Sequence, residues 1–160
     1  MATICVDAGF LIALYDRRDS HHERASEQFK LFFAPESRRN VLLAPWPILY
    51  ESLNTRQARS HAAVQQLAAD WNILGQREQL TLLDDTAYRD QAVSDYLEVF
   101  GAGQRVFSLA DRVIRAVLCD AGNRIDALLT YNGRDFSDVC ATNRIQLIDQ
   151  HFDPTQPTGA

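Results

Sequence analysis

Apolar residues along this chain fall into two alternating patterns. Short aliphatic or β-branched runs at Thr3–Val6, Val41–Ala44, Leu80–Leu83, Ala127–Thr130 and Ile145–Ile148 read as buried strands. The segments between them carry helical signals. Ala8-Gly9 opens a helix over Phe10–Tyr15. Ser20-His21-His22-Glu23 is a capping box, with Ser20 as cap, that predicts a helix to about Phe33. Pro35–Asn40 is a polar break. Pro45-Trp46-Pro47 starts a helix expected to end near Arg59, since proline is tolerated in a first turn. Ser60–Leu74 is amphipathic with Gly75 as its stop, and Thr86–Phe100 is helical before a Gly101-Ala102-Gly103 loop. Ser108-Leu109-Ala110-Asp111 is a second capping box, and Leu109, Val113, Ala116 and Val117 follow at helical spacing, with Gly122 closing that helix. Strands alternating with helices predict an α/β fold with a mainly parallel sheet.

At 160 residues, the expectation is one domain over about residues 1–150 and a frayed tail over 151–160. Hydrophobic residues make up 46% and charged residues 23%, enough apolar material for a core without staples. The net charge of −5 disfavours a protein that coats nucleic acid non-specifically. All basic residues but Lys30 are Arg, which suits bidentate phosphate contacts, although coding bias produces the same excess. Cys5, Cys119 and Cys140 are an odd set without regular spacing, so they read as buried free thiols. Asp7 interrupts the first apolar run, which excludes a signal peptide, and no run is long enough to span a membrane. A cytoplasmic protein is expected.

In an open parallel sheet, ligands sit at the carboxyl ends of the strands. Asp7 follows the first strand, Glu51 lies early in the helix after the second, and Asp111 lies in the first turn of the helix leading to the fourth. Thr130 and Asn132 stand at or just past the fourth strand's end. Clustered carboxylates oppose one another's ionisation unless a cation offsets them, and oxygen-only ligands favour Mg²⁺ or Mn²⁺. Such an ion can activate water against a phosphodiester.

Four stretches carry a family resemblance. Val6-Asp7-Ala8-Gly9-Phe10-Leu11-Ile12-Ala13-Leu14-Tyr15-Asp16, with Asp19-Ser20-His21-His22 after it, resembles the opening of a PIN domain. Ile48-Leu49-Tyr50-Glu51 resembles its second acidic motif and Ser108-Leu109-Ala110-Asp111 its third. Leu128-Leu129-Thr130-Tyr131-Asn132, with Arg134-Asp135-Phe136 following, resembles the last. The resemblance implies a three-layer α/β/α fold, Mg²⁺ or Mn²⁺ between the carboxylates, and a VapC-like ribonuclease toxin restrained by a cognate antitoxin. It implies Asp7 and Asp111 as principal metal ligands and Glu51 as a water-mediated ligand or water-orienting group. Thr130 would support a carboxylate or a metal water. The resemblance further implies RNA as substrate and a homodimer, for which the apolar stretches Phe10–Tyr15 and Phe29–Phe33 are the candidate faces. One position departs from the pattern: Asn132 stands where an Asp is common, and Asp135 is the candidate replacement.

Each residue also has a structural reading. Asp7 can cap a helix; Glu51 can be a solvated helix residue; Asp111 can serve its capping box and pair with Arg115. Asn132-Gly133 is a turn signal, Asp135 a surface charge, and Asp126 a strand-end residue. His21 and His22 read as structural, and Trp46 as a packing anchor rather than a base-stacking platform. Gly101-x-Gly103 lacks the third glycine or Lys-Ser/Thr of a phosphate loop. Two other classes compete with the nuclease: a degenerate PIN-like module that binds RNA or protein, motivated by Asn132, and a haloacid-dehalogenase-type phosphohydrolase. The last normally needs a second Asp two residues after Asp7, where Gly9 stands.

Overall fold

The five apolar runs pair into the sheet that the alternating pattern predicts. A computed structural model of the chain describes residues 1–35, 39–54, 60–98 and 106–155. Among the described residues the strands are β1 (Thr3–Val6), β2 (Val41–Pro45), β3 (Leu80–Leu83), β4 (Ala127–Leu129) and β5 (Gln146–Ile148). They form one sheet in the order β3-β2-β1-β4-β5, and every pairing is parallel. Ile4 of β1 lies between Leu42 of β2 and Ala127 of β4. These central strands are apolar on both faces because helices cover both, as in other parallel sheets. Ile4, Cys5, Val6, Leu42, Leu128 and Leu129 are all buried.

The described helices are α1 (Ala8–Tyr15), α2 (His22–Phe33), α3 (Trp46–Leu53), α4 (His61–Gln76), α5 (Thr86–Glu98), α6 (Leu109–Cys119) and α7 (Ser137–Asn143). α1 packs against α2, α3 and α4, whereas α6 packs against α5 and α7. The result is a three-layer α/β/α fold. From β1 the chain steps outward to β2 and β3, then crosses back to β4 and β5 on the other side. The sheet's switch point therefore lies at β1 and β4, where a crevice opens beyond the carboxyl ends of adjacent strands.

Several local expectations are corrected. Ser20 does not cap α2: the helix begins after His21, which makes no side-chain cap bond. Asp19 takes over the turn instead, its carboxylate accepting from His21 N at 2.8 Å and its carbonyl from His22 N at 3.1 Å. α3 ends at Leu53, short of Arg59. Gly75 lies inside α4, and the left-handed position after the helix is Glu78, at φ 57°. There Glu78 N bonds Gly75 O and Gln79 N bonds Leu74 O, a Schellman closure completed without glycine. Gly122 does not close α6. The helix stops at Cys119 because the Asp120 carboxylate accepts from Gly122 N at 2.8 Å and turns the chain into a 3-10 segment, Ala121–Asn123.

α7 had no periodic signal, being only seven residues between Phe136 and a left-handed Arg144. Cys5 and Cys140 are buried, but Cys119, at the last position of α6, is exposed. Phe10, Leu11, Leu14 and Tyr15 of α1 are buried in this chain's own core. Residues 36–38 of the Pro35–Asn40 break, the stretch from 55 to Arg59, Phe100 with the Gly101–Gly103 loop, and tail residues 156–160 lie outside the described residues. No helix among the described residues is long and apolar enough to cross a membrane.

Leu128 is fully buried in β4, between β1 and β5. Leu128→Ala is expected to lower unfolding stability by about 3 kcal/mol, read by urea titration. A loss well under 1 kcal/mol would mean that this strand is not at the packed centre.

Candidate active site

Asp7 is the first residue beyond β1 and the N-cap of α1. It is only 5% exposed. Oδ1 accepts from Phe10 N at 2.8 Å, the usual bond of an aspartate cap. Oδ2 accepts from the hydroxyl of Thr130, itself fully buried just past β4. The Thr130 oxygen in turn accepts from Asn132 N at 2.9 Å. The ends of β1 and β4 are thus tied together through side chains as well as by Asp7 N bonding Leu129 O at 3.2 Å.

Two further acids reach the same space. Asp111 is the third residue of α6, and its capping box is complete: Asp111 N donates to Ser108 Oγ, while Asp111 Oδ2 accepts from Ser108 N and Ser108 Oγ. Glu51 projects from α3. Burial pushes the Asp7 carboxyl up to about 6; the bonds from Thr130 and Phe10 N oppose that rise, and the charges of Asp111 and Glu51 add to it. The Glu51 carboxyl is also raised, by burial and then by Asp111. Asp7, Glu51, Asp111, Asn132, Tyr50, Asn54 and Ser108 line one cleft of about 700 Å³. Among the described residues that line it, none is basic.

That donor set is chemically suited to a hard divalent cation: oxygen ligands, with no side-chain cation among the described lining residues to balance the acids. Each Asp7 oxygen holds one protein donor and keeps a second lone pair. No three His, Cys, Asp or Glu side chains among the described residues stand close enough to enclose an ion by themselves. Mg²⁺ retains several waters, so carboxylates set apart across a cleft can hold it partly through water.

The remaining candidates separate. Asn132 reaches the cleft. Asp135 does not line it: it closes a 3-10 turn, Gly133–Asp135, accepts from Asn132 Nδ2, and gives its carbonyl to Arg115 at 2.6 Å. Arg115 does not pair with Asp111. It forks onto Asp138 at 2.7 and 2.6 Å and lies over the Phe107 ring, leaving Asp111 without an i+4 cation. Asp126 accepts from Thr3 N at 2.7 Å and is structural. His22 Nδ1 bonds Ala13 O, and His21 stacks on Tyr131. Trp46 is not a buried anchor, being 38% exposed. Tyr50, Asn54 and Ser108 were not singled out as lining residues. The available signal was helical spacing, since Asn54 stands four positions after Tyr50 and three after Glu51.

Comparison with solved structures places this architecture. The VapC20 toxin of Mycobacterium tuberculosis, described as cleaving the sarcin-ricin loop, superposes with a TM-score of 0.62 over 84% of this chain and 94% of that one, at 22% identity. The chain has a VapC-like PIN fold. No known family model matches its sequence, and no curated protein matches it by sequence. In this PIN fold the acid cleft occupies the switch point of the sheet.

The raised carboxyl of Asp7 has a consequence for stability. A carboxyl that titrates near 6 when folded and at its ordinary value of 3.8 when unfolded destabilises the fold increasingly from pH 4 to pH 6 and is neutral in effect below pH 4. Asp7→Asn is therefore expected to stabilise the metal-free protein at pH 7.5, by up to about 3 kcal/mol, with the gain vanishing by pH 4. Thermal unfolding of both proteins across that pH range checks it; a pH-independent difference would contradict the charge argument.

Proposed function

We propose that this chain is a metal-dependent endoribonuclease and the toxin of a toxin–antitoxin pair. The observation that carries the reading is the convergence of Asp7, Glu51 and Asp111 on one cleft at the switch point of a VapC-like PIN fold. Asp7 and Asp111 would hold Mg²⁺ or Mn²⁺, with Glu51 acting through water. When bound, such an ion supplies a Lewis acid against the phosphodiester and lowers the pKa of a water beside it. Thr130 and Phe10 N fix both oxygens of Asp7, so its direction into the cleft is set before any ligand arrives. Ser108 does the same for Asp111, bonding Oδ2 through both its N–H and its hydroxyl. Glu51, on the solvent side of the cleft with its carboxyl raised by its surroundings, would accept a proton from the attacking water. Asn132 contributes a neutral amide where an acid would add charge. The substrate is RNA, and the partner is an antitoxin whose basic tail would answer the acidic cleft. A cytoplasmic location and a homodimer belong to the same reading.

A second reading is a catalytically weak PIN-like module that binds RNA or protein. Asn132, together with the lack of a closed three-acid shell among the described residues, favours it.

Mn²⁺ titration followed by thermal unfolding separates the two. Ligand that binds only the folded state raises its apparent stability by mass action. Wild type is expected to shift upward with Mn²⁺ and to cut RNA in a chelator-sensitive way, while Asp7→Asn does neither. Asn132→Asp is expected to tighten Mn²⁺ binding at least severalfold, because it adds a charged oxygen donor. Metal-independent cutting would overturn the mechanism, and RNA binding with no cleavage at any Mn²⁺ level would favour the binding module.

A further inference from the structure

Trp46, Tyr50 and Asn54 recur every four residues along α3 and its C-cap, forming one ridge. Tyr50 and Asn54 line the acid cleft, and Glu51 is next to Tyr50 in sequence. Tyr50 is 67% exposed and Trp46 38%. Their ring centroids are 5.9 Å apart, with planes inclined by 38°. An exposed aromatic side chain, Tyr50, therefore stands in the wall of a cleft whose described lining is acidic, neutral polar or apolar, and the partly exposed Trp46 ring lies next to it. A polyanion gains nothing from phosphate contacts to such a lining, so a nucleic acid held there needs non-ionic contacts close by. Base–aromatic stacking supplies such a contact and tolerates any sequence.

We propose that Tyr50, with Trp46 as its neighbouring wall, is a nucleobase-stacking subsite that takes one unpaired base beside the phosphate in the acid cleft. The inference rests on the ribonuclease reading above. The inclination of the two rings rules out a parallel sandwich, so the base lies on the open face of Tyr50 with Trp46 closing one edge. Only a base free of a duplex presents its face in this way, so the substrate is a loop, bulge or single strand.

The test uses the cleavage-deficient Asp7→Asn protein with a short labelled single-stranded RNA and a blunt duplex of the same sequence. In that background Tyr50→Ala is expected to weaken single-strand binding roughly tenfold, Tyr50→Phe to restore it, and duplex binding to stay unchanged. Trp46 emission should be quenched on binding, and Trp46→Phe, which leaves Trp71 as the remaining tryptophan, should remove the quenching. An unchanged Mn²⁺ shift in Tyr50→Ala on the wild-type background confirms that its carboxylates are intact. Equal binding by Tyr50→Ala, or no Trp46 quenching, overturns the subsite while leaving the nuclease reading standing if wild type still cuts. A dimer in sedimentation that Tyr50→Ala dissociates, with single-strand affinity unchanged, identifies the ridge as an interface between copies and also overturns it. If wild type cuts no RNA and Asp7→Asn binds none, both readings fall together.

Discussion

A carboxylate buried at the end of a central strand is the constraint around which this structure is arranged. Asp7 is almost wholly removed from water, and burial of an unpaired charge is among the costliest arrangements a fold can contain. The chain offsets part of that cost locally. The free N–H groups and positive end of α1 face the carboxylate, and Phe10 N bonds it. It offsets another part through tertiary structure, by bringing the hydroxyl of Thr130 from more than a hundred residues away. What remains is visible as a carboxyl raised well above its ordinary range. A divalent cation in the cleft would remove that residual penalty, which links the cost of burying the carboxylate to the chemistry proposed for it.

The same economy governs Asp111. Its capping bonds to Ser108 satisfy the start of α6, and they also aim the side chain at the cleft. Structural and chemical roles coincide because a carboxylate has several acceptor sites and a helix N-terminus fixes its direction. Asp7 follows the same logic as cap of α1. Two helix starts and one strand end thus position Asp7 and Asp111, while Glu51 comes from the last turn of α3. Arg115, the natural helical partner for Asp111, is drawn away by Asp138. That diversion leaves the acids of the cleft free to repel one another, which a metal site requires and a merely stabilising network would avoid.

On the proposed reading, an acidic cleft that receives RNA also sets a problem of approach. The described lining contains no basic residue, so attraction would come from a bound cation and from contacts around the cleft mouth. The exposed aromatic ridge of α3 meets that need without adding a charge that would pair with the carboxylates and quench them. Trp46, between its two prolines, is partly exposed rather than a fully buried packing anchor.

The sequence by itself determined the alternation of strands and helices, and therefore the parallel α/β class, because buried strands and amphipathic helices are written in local apolar spacing. It also marked Asp7, Thr130 and Asn132 at strand ends and Asp111 at a helix start as candidates, and Glu51 and Asp135 beside them; Glu51, expected early in its helix, stands in the last turn of α3. Helix ends were less legible: Glu78 takes a left-handed conformation expected of a glycine, and Asp120 rather than Gly122 ends α6, because backbone hydrogen bonds to neighbouring turns outweighed residue preference. Only the tertiary structure decided that Asn132 reaches the cleft while Asp135 turns behind it, that Arg115 serves Asp138, and that Tyr50 and Asn54 share the wall with Glu51. Those outcomes depend on which distant elements approach across the sheet. Local spacing carries no information about that approach, since it is fixed by the packing of helices on both faces.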